Sequence, residues 1–136
     1  TAGFTSARRP WSELSDDPAG TSVAVETDDP LSLLSHYRNL IHLRTDHSAL
    51  SVGDVAIIDV DGAQGVFAYT RQSEDESILV LMNMGTEPST LTLPPEINLS
   101  TAQVLYGVSP DGAITTFDSA TALPAYSTVI IQLSGE

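Results

Sequence analysis

The sequence has 136 residues and no cysteine, which excludes disulfide frameworks, thiolate metal sites and cysteine nucleophiles together. Eighteen acidic residues face five basic ones, all arginine (Arg8, Arg9, Arg38, Arg44 and Arg71), giving a formal net charge of −13. A surface of that sign repels phosphate backbones and anionic lipid, so nucleic acid and membranes are not expected partners.

A chain of this length can bury roughly two thirds of the surface its unfolded form exposes, enough for one core without a metal or disulfide staple. It opens on Thr1-Ala2-Gly3-Phe4, with neither an initiator methionine nor a basic-then-apolar leader, so a longer parent is expected. Residues 1–28 carry no helical or strand period and are dense in Gly, Pro, Ser, Thr and Asp. A structureless stretch that long is a functional excursion, or a piece separated from the scaffold that ordered it.

The pattern changes at Asp29-Pro30, which predicts a helix start, with Asp29 as cap and Pro30 in the first helical position. Leu33, Leu34, Tyr37, Leu40, Ile41 and Arg44 then fall on one helical face, an apolar stripe that needs a partner. After Leu50 strand patterns take over: Val55–Val60, Gly65–Arg71, Ser77–Met84, Ser89–Leu93, Ala102–Val108, Ala113–Phe117 and Ser127–Leu133. The turn residues between them, such as Asp61-Gly62, Pro94-Pro95 and Pro110-Asp111-Gly112, predict a mainly β fold, an antiparallel sandwich. A parallel sheet would need helical segments between the strands, and none is present.

Chemistry is scarce in this pattern. Hydrolysis of a glycoside needs two carboxyl groups held in different protonation states, yet each acidic pair here has a plainer role. Asp28 and Asp29 sit at the helix start, Asp59 and Asp61 flank a turn, and Glu74, Asp75 and Glu76 make a charged hairpin loop. His36, His42 and His47 are spaced wrongly to share a helical face as metal ligands, and no Gly-x-Ser-x-Gly elbow occurs. No metal or other cofactor is implied. Asn98-Leu99-Ser100 is a glycosylation sequon. The one suggestive cluster is Phe4, Arg8, Arg9 and Trp11, because aromatic faces and forked donors suit sugar rings and hydroxyls. The same residue types would equally pin a loop to a scaffold.

The strings Ala2-Gly3-Phe4-Thr5, Pro10-Trp11 and Asp29-Pro30-Leu31-Ser32-Leu33-Leu34-Ser35-His36-Tyr37-Arg38-Asn39-Leu40-Ile41-His42-Leu43-Arg44 resemble the end of the catalytic barrel in the alpha-amylase family, glycoside hydrolase family 13. Val66-Phe67-Ala68-Tyr69 and Ile78-Leu79-Val80-Leu81-Met82-Asn83 resemble the β-domain that follows it in that family. The resemblance implies that residues 1–47 are the last loop and eighth helix of a (β/α)8 barrel. Residues 48–136 would then be a C-terminal Greek-key β-sandwich. It implies a parent acting on alpha-glucosidic bonds of starch or maltooligosaccharides through an aspartate nucleophile, a glutamate acid/base and a second aspartate on earlier barrel strands. None of those three can be placed on this chain, so no catalytic residue is carried over, and Arg44-Thr45-Asp46 at a helix end lacks the strand that the nucleophile motif requires. The chain by itself is expected to be inactive.

The expected partner is the barrel, whose outer helices pack apolar faces against its strands. Alpha-glucan is the expected ligand of the whole, and in the isolated chain Leu33, Leu34, Tyr37 and Ile41 are expected to lie partly against the sandwich or against a second copy of the chain. Phe4, Arg8, Arg9 and Trp11 are the candidate substrate contacts. The alternative from a different class is a free-standing carbohydrate-binding module, for which Phe67 and Tyr69, on one face of their strand, would form the platform. One half of an enzyme split into two chains is a third reading.

Overall fold

The computed structural model describes residues 6–13, 16, 20–60, 64–118, 120 and 122–134. The chain divides into two compact units, Thr1–His42 and Leu43–Glu136, each with its own internal organisation.

The first unit holds a single helical turn, α1 (Val23–Glu26), and all but the last turn of the long helix α2 (Leu33–Asp46). The expected cap at Asp29 does not form. The Asp29 carboxylate accepts the Leu31 N–H at 2.8 Å, a local turn that keeps Pro30 outside the helix. Ser32 takes the capping role instead, its Oγ accepting the Ser35 N–H at 3.1 Å, and the Glu26 carboxylate reaches the Leu34 N–H at 3.0 Å. Ser32 also donates to the Glu26 carbonyl at 2.7 Å, so two otherwise orphaned N–H groups of the first turn of α2 are tied to the segment before it.

The second unit is a six-stranded, wholly antiparallel sheet: β1 (Asp54–Ile58), β2 (Val66–Gln72), β3 (Ser77–Asn83), β4 (Gln103–Ser109), β5 (Gly112–Ala113) and β6 (Ser127–Leu133), in the order β1-β2-β3-β6-β4-β5. Strands β1, β2 and β3 form a meander. The last strand then returns to lie between β3 and β4, so residues 84–102 and 114–126 become two long connections. Residues from both connections pack on the same core. Leu91 and Leu123 are buried there with Ala68, Leu79, Leu81, Val129 and Ile131, and Leu93, Ile97, Leu99, Ile114 and Phe117 pack against them. These connections are the second layer of the expected sandwich. Ser89 of the first pairs with Leu123 of the second in an antiparallel bridge. The expected strand Ser89–Leu93 is reduced to isolated bridge positions at Ser89 and Thr92: Pro88 and the pair Pro94-Pro95 bracket it, and proline cannot donate to a ladder.

A second core lies around the short helix α3 (Ser48–Val52), where Ala49 is buried with Ile78, Val80 and Ile130, and Leu43, Leu50, Tyr69 and Tyr106 pack alongside. Because alternate residues of a strand face opposite ways, Ile78 and Val80 serve this core while Leu79 and Leu81 serve the other. That is why β3 reads as an unbroken apolar run. Each fully buried leucine or isoleucine in it stabilises the fold by about 2 kcal/mol. A bulge between Val104 and Tyr106 switches the facing of β4, sending Val104 to the first core and Leu105 and Tyr106 to the second. Burial pushes the Tyr106 phenol up from its ordinary pKa.

Two glycines are required by close approach. A Cβ at Gly53, where α3 turns directly into β1, would stand 2.5 Å from the Ala49 carbonyl oxygen and 2.7 Å from that of Gln72. A Cβ at Gly107 would collide with the Ile114 carbonyl oxygen, because the Ile114 N–H bonds Gly107 O at 2.9 Å.

Candidate functional site

The residues singled out as sugar contacts lie on the first unit. Arg8 and Arg9 are exposed in a run of bends, and the Trp11 ring is fully open to solvent; Phe4 lies outside the described residues. On α2, Leu33, Tyr37 and Ile41 are 66%, 61% and 58% exposed, and no residue of the helix is fully buried. The predicted stripe is present on a regular helix and it faces outward.

In the second unit, polar side chains are concentrated at two structural nodes. The first is Glu76, which holds the start of α3. Its carboxylate accepts from His47 Nδ1 at 2.8 Å, from the Ser48 hydroxyl at 3.1 Å and from the Ala49 N–H at 3.1 Å. Partial burial pushes this carboxyl up, but the hydrogen bonds from His47, Ala49 and Ser48 outweigh that effect and hold its pKa below the ordinary 4.5. The other end of α3 is held by arginines: Arg44 donates to the Leu50 carbonyl at 2.8 Å and Arg71 to the Ala49 carbonyl at 2.9 Å. Anion at the N-terminus and cations at the C-terminus both suit the alignment of peptide dipoles. Reading Glu76 as one more charge in a solvated hairpin loop missed this, since its partners lie 27 to 29 positions away in the chain.

The second node is Asn83. It is buried, and its Nδ2 lies within hydrogen-bonding distance of three carbonyl oxygens, Glu87 at 2.9 Å, Leu123 at 3.1 Å and Pro124 at 3.0 Å, while Oδ1 accepts the Gly85 N–H at 2.9 Å. One side chain therefore fixes the start of one long connection against the end of the other.

Phe67 and Tyr69 do lie together, ring centroids 5.5 Å apart, but their planes are inclined at 42° and Tyr69 packs on the α3 core. Two tilted rings, one of them partly covered, do not make a flat platform for a sugar chain. Among the described residues no group of three or more His, Asp or Glu side chains could hold a metal ion, and no helix is long and apolar enough to cross a membrane.

An antiparallel β-domain whose polar side chains act as struts, preceded by an amphipathic helix with an open face, is what the described residues define. The family model described as the alpha-amylase SusG C-terminal domain matches residues 66–130. The chain belongs to the C-terminal region of the alpha-amylase family, glycoside hydrolase family 13. A probable alpha-glucosidase of Rhizobium meliloti (strain 1021) is 34% identical over 92 residues, 68% of this chain and 16% of the relative. An oligo-1,6-glucosidase of Halalkalibacterium halodurans is 31% identical over 118 residues, 85% of this chain and 21% of the relative. Among solved structures, the trehalulose synthase MutB from Pseudomonas mesoacidophila MX-45 matches with a TM-score of 0.72 and 30% identity over 93% of this chain and 22% of its own. The chain thus spans about a fifth of the length of the longer enzymes it resembles.

Proposed function

We propose that this chain is the non-catalytic C-terminal segment of an alpha-amylase-type glycoside hydrolase acting on alpha-glucosidic bonds of starch or maltooligosaccharides, and that it stabilises the catalytic barrel. The observation that carries the reading is the open face of α2. Leu33, Tyr37 and Ile41 form an apolar stripe in water on an otherwise regular helix, a surface of the kind that marks an interaction site. The barrel is the partner that this stripe fits. Residues 1–47 are then the last barrel loop and helix, and residues 48–136 the appended domain, with α3 and its struts at the join. Phe4, Arg8, Arg9 and Trp11 become the part of the last loop turned toward substrate, where the exposure of Arg8, Arg9 and Trp11 leaves forked donors and an indole face available.

The test is replacement. Exchanging the matching C-terminal fifth of the Halalkalibacterium oligo-1,6-glucosidase for this chain is expected to give an active hydrolase that melts above the same enzyme truncated at the junction. Changing Leu33, Tyr37 and Ile41 to serine in that chimera is expected to remove the gain. Cleavage of a glucoside by the 136 residues alone, or a chimera indifferent to the serine changes, would overturn the reading.

A further inference from the structure

We propose that the end of the sheet around Tyr126 is a second, non-catalytic contact point for an alpha-linked gluco-oligosaccharide; the alpha linkage rests on the function proposed above, while the site rests on the geometry here. Tyr126 has a φ of 49°, in the left-handed region where glycine is the default and a bulky residue is strained. Burial does not compensate for that strain, because the residue is 60% exposed. Nor does the backbone need a tyrosine, since the one hydrogen bond made here, from the Tyr126 N–H to the Gly85 carbonyl at 3.3 Å, would form equally with glycine. A strained aromatic retained on the surface points to a use for its side chain.

What lies beside it fits a neutral polyhydroxylated ligand. Gly85 lines a cavity of ≈ 420 Å³ together with Gly65, Gln64, Thr86, Glu87 and Ser89, a size at the small end of the range for ligand pockets. The lining residues include a glutamine, a threonine, a serine and a glutamate, residue types whose donors and acceptors match sugar hydroxyls and disfavour anions. Two of the lining residues are glycines in close approach: Gly65 has a φ of +80°, and a Cβ there would stand 3.2 Å from the Gly85 backbone. The cavity and the tyrosine are held to each other by Asn83, which bonds Gly85 and Glu87 on the cavity side and Pro124 two residues before Tyr126. The backbone beside the cavity and the backbone leading to Tyr126 are therefore held together, which leaves little main chain to order on binding.

The test titrates the full 136-residue chain with maltotetraose and follows backbone amide resonances. Shifts at Gly65 and Gly85 are expected, and Tyr126→Gly is expected to weaken binding about tenfold or more while leaving the thermal midpoint unchanged or higher, since glycine accepts the left-handed backbone. Equal binding by Tyr126→Gly, no response to maltotetraose, or shifts confined to the Trp11 indole would each overturn the site and leave the replacement experiment untouched. Shifts at Gly65 and Gly85 with cellotetraose but not with maltotetraose would overturn the alpha-glucan assignment here and in the proposed function alike.

Discussion

Glu76 shows how much one exposed-looking carboxylate can organise. It lies next to Glu74 and Asp75, which are exposed, yet it alone accepts from α3 and from His47. Because these hydrogen bonds lower its folded pKa, the folded state binds fewer protons than the unfolded chain as the group titrates. Its contribution is therefore fully present above the ordinary value of 4.5 and is lost as pH falls through the lowered folded value. Glu76→Gln is expected to reduce stability by about 1.5 kcal/mol at neutral pH, with the gap to the parent chain closing in acid; urea midpoints measured across that pH range check it. Glu74→Gln, which removes a neighbouring charge without these partners, is expected to show no such closing gap. Asn83 makes a comparable argument with the opposite sign. An aspartate there would bring a carboxylate against the Glu87, Leu123 and Pro124 carbonyl oxygens, with no proton to donate to any of them. Asn83→Asp is expected to cost about 3 kcal/mol at neutral pH and to recover part of that as the introduced acid protonates, read from denaturation midpoints at descending pH.

Among the elements, those with a local cause were legible and those with a distant one were not. The run Ile78–Met82 is apolar throughout because both faces of β3 are covered, and it was expected as a strand for its composition alone. The first turn of α2 was misplaced because Asp29-Pro30 and Ser32 are all plausible starts, and the choice is made by Glu26, whose carboxylate and carbonyl take Leu34 N–H and Ser32 Oγ. The expected strand Ala113–Phe117 shortens to Gly112–Ala113 because the chain leaves the ladder to place Ile114 and Phe117 over the core. That departure presses Ile114 onto Gly107. Gly107→Ala is therefore expected to destabilise the domain by about 2 kcal/mol, since the new methyl meets backbone that cannot yield. Thermal or urea denaturation checks the loss, and an unchanged midpoint would mean that β4 and the Ile114 segment separate more readily than their 2.9 Å hydrogen bond implies.

For the whole molecule, the family was legible through motif strings rather than through chemistry, because the polar side chains described act as supports and the apolar stripe of α2 is an open face. Composition could exclude nucleic acid and thiol chemistry, and periodicity could find the α2 stripe. Neither could say that Trp11 would stand fully exposed or that Asn83 would bond a carbonyl 40 positions further along the chain. The stripe itself makes the final prediction. With Leu33, Tyr37 and Ile41 exposed on successive turns, the isolated chain presents an apolar ridge whose self-association removes the same surface from water as a barrel would. Sedimentation equilibrium is expected to show a concentration-dependent dimer, and the double change Leu33→Ser with Ile41→Ser is expected to return the chain to a monomer with its β-domain intact. The charge of −13 opposes that pairing, so added salt should strengthen it by screening the repulsion. A chain that stays monomeric at high concentration and high salt would show that this ridge is too narrow to hold a copy of itself.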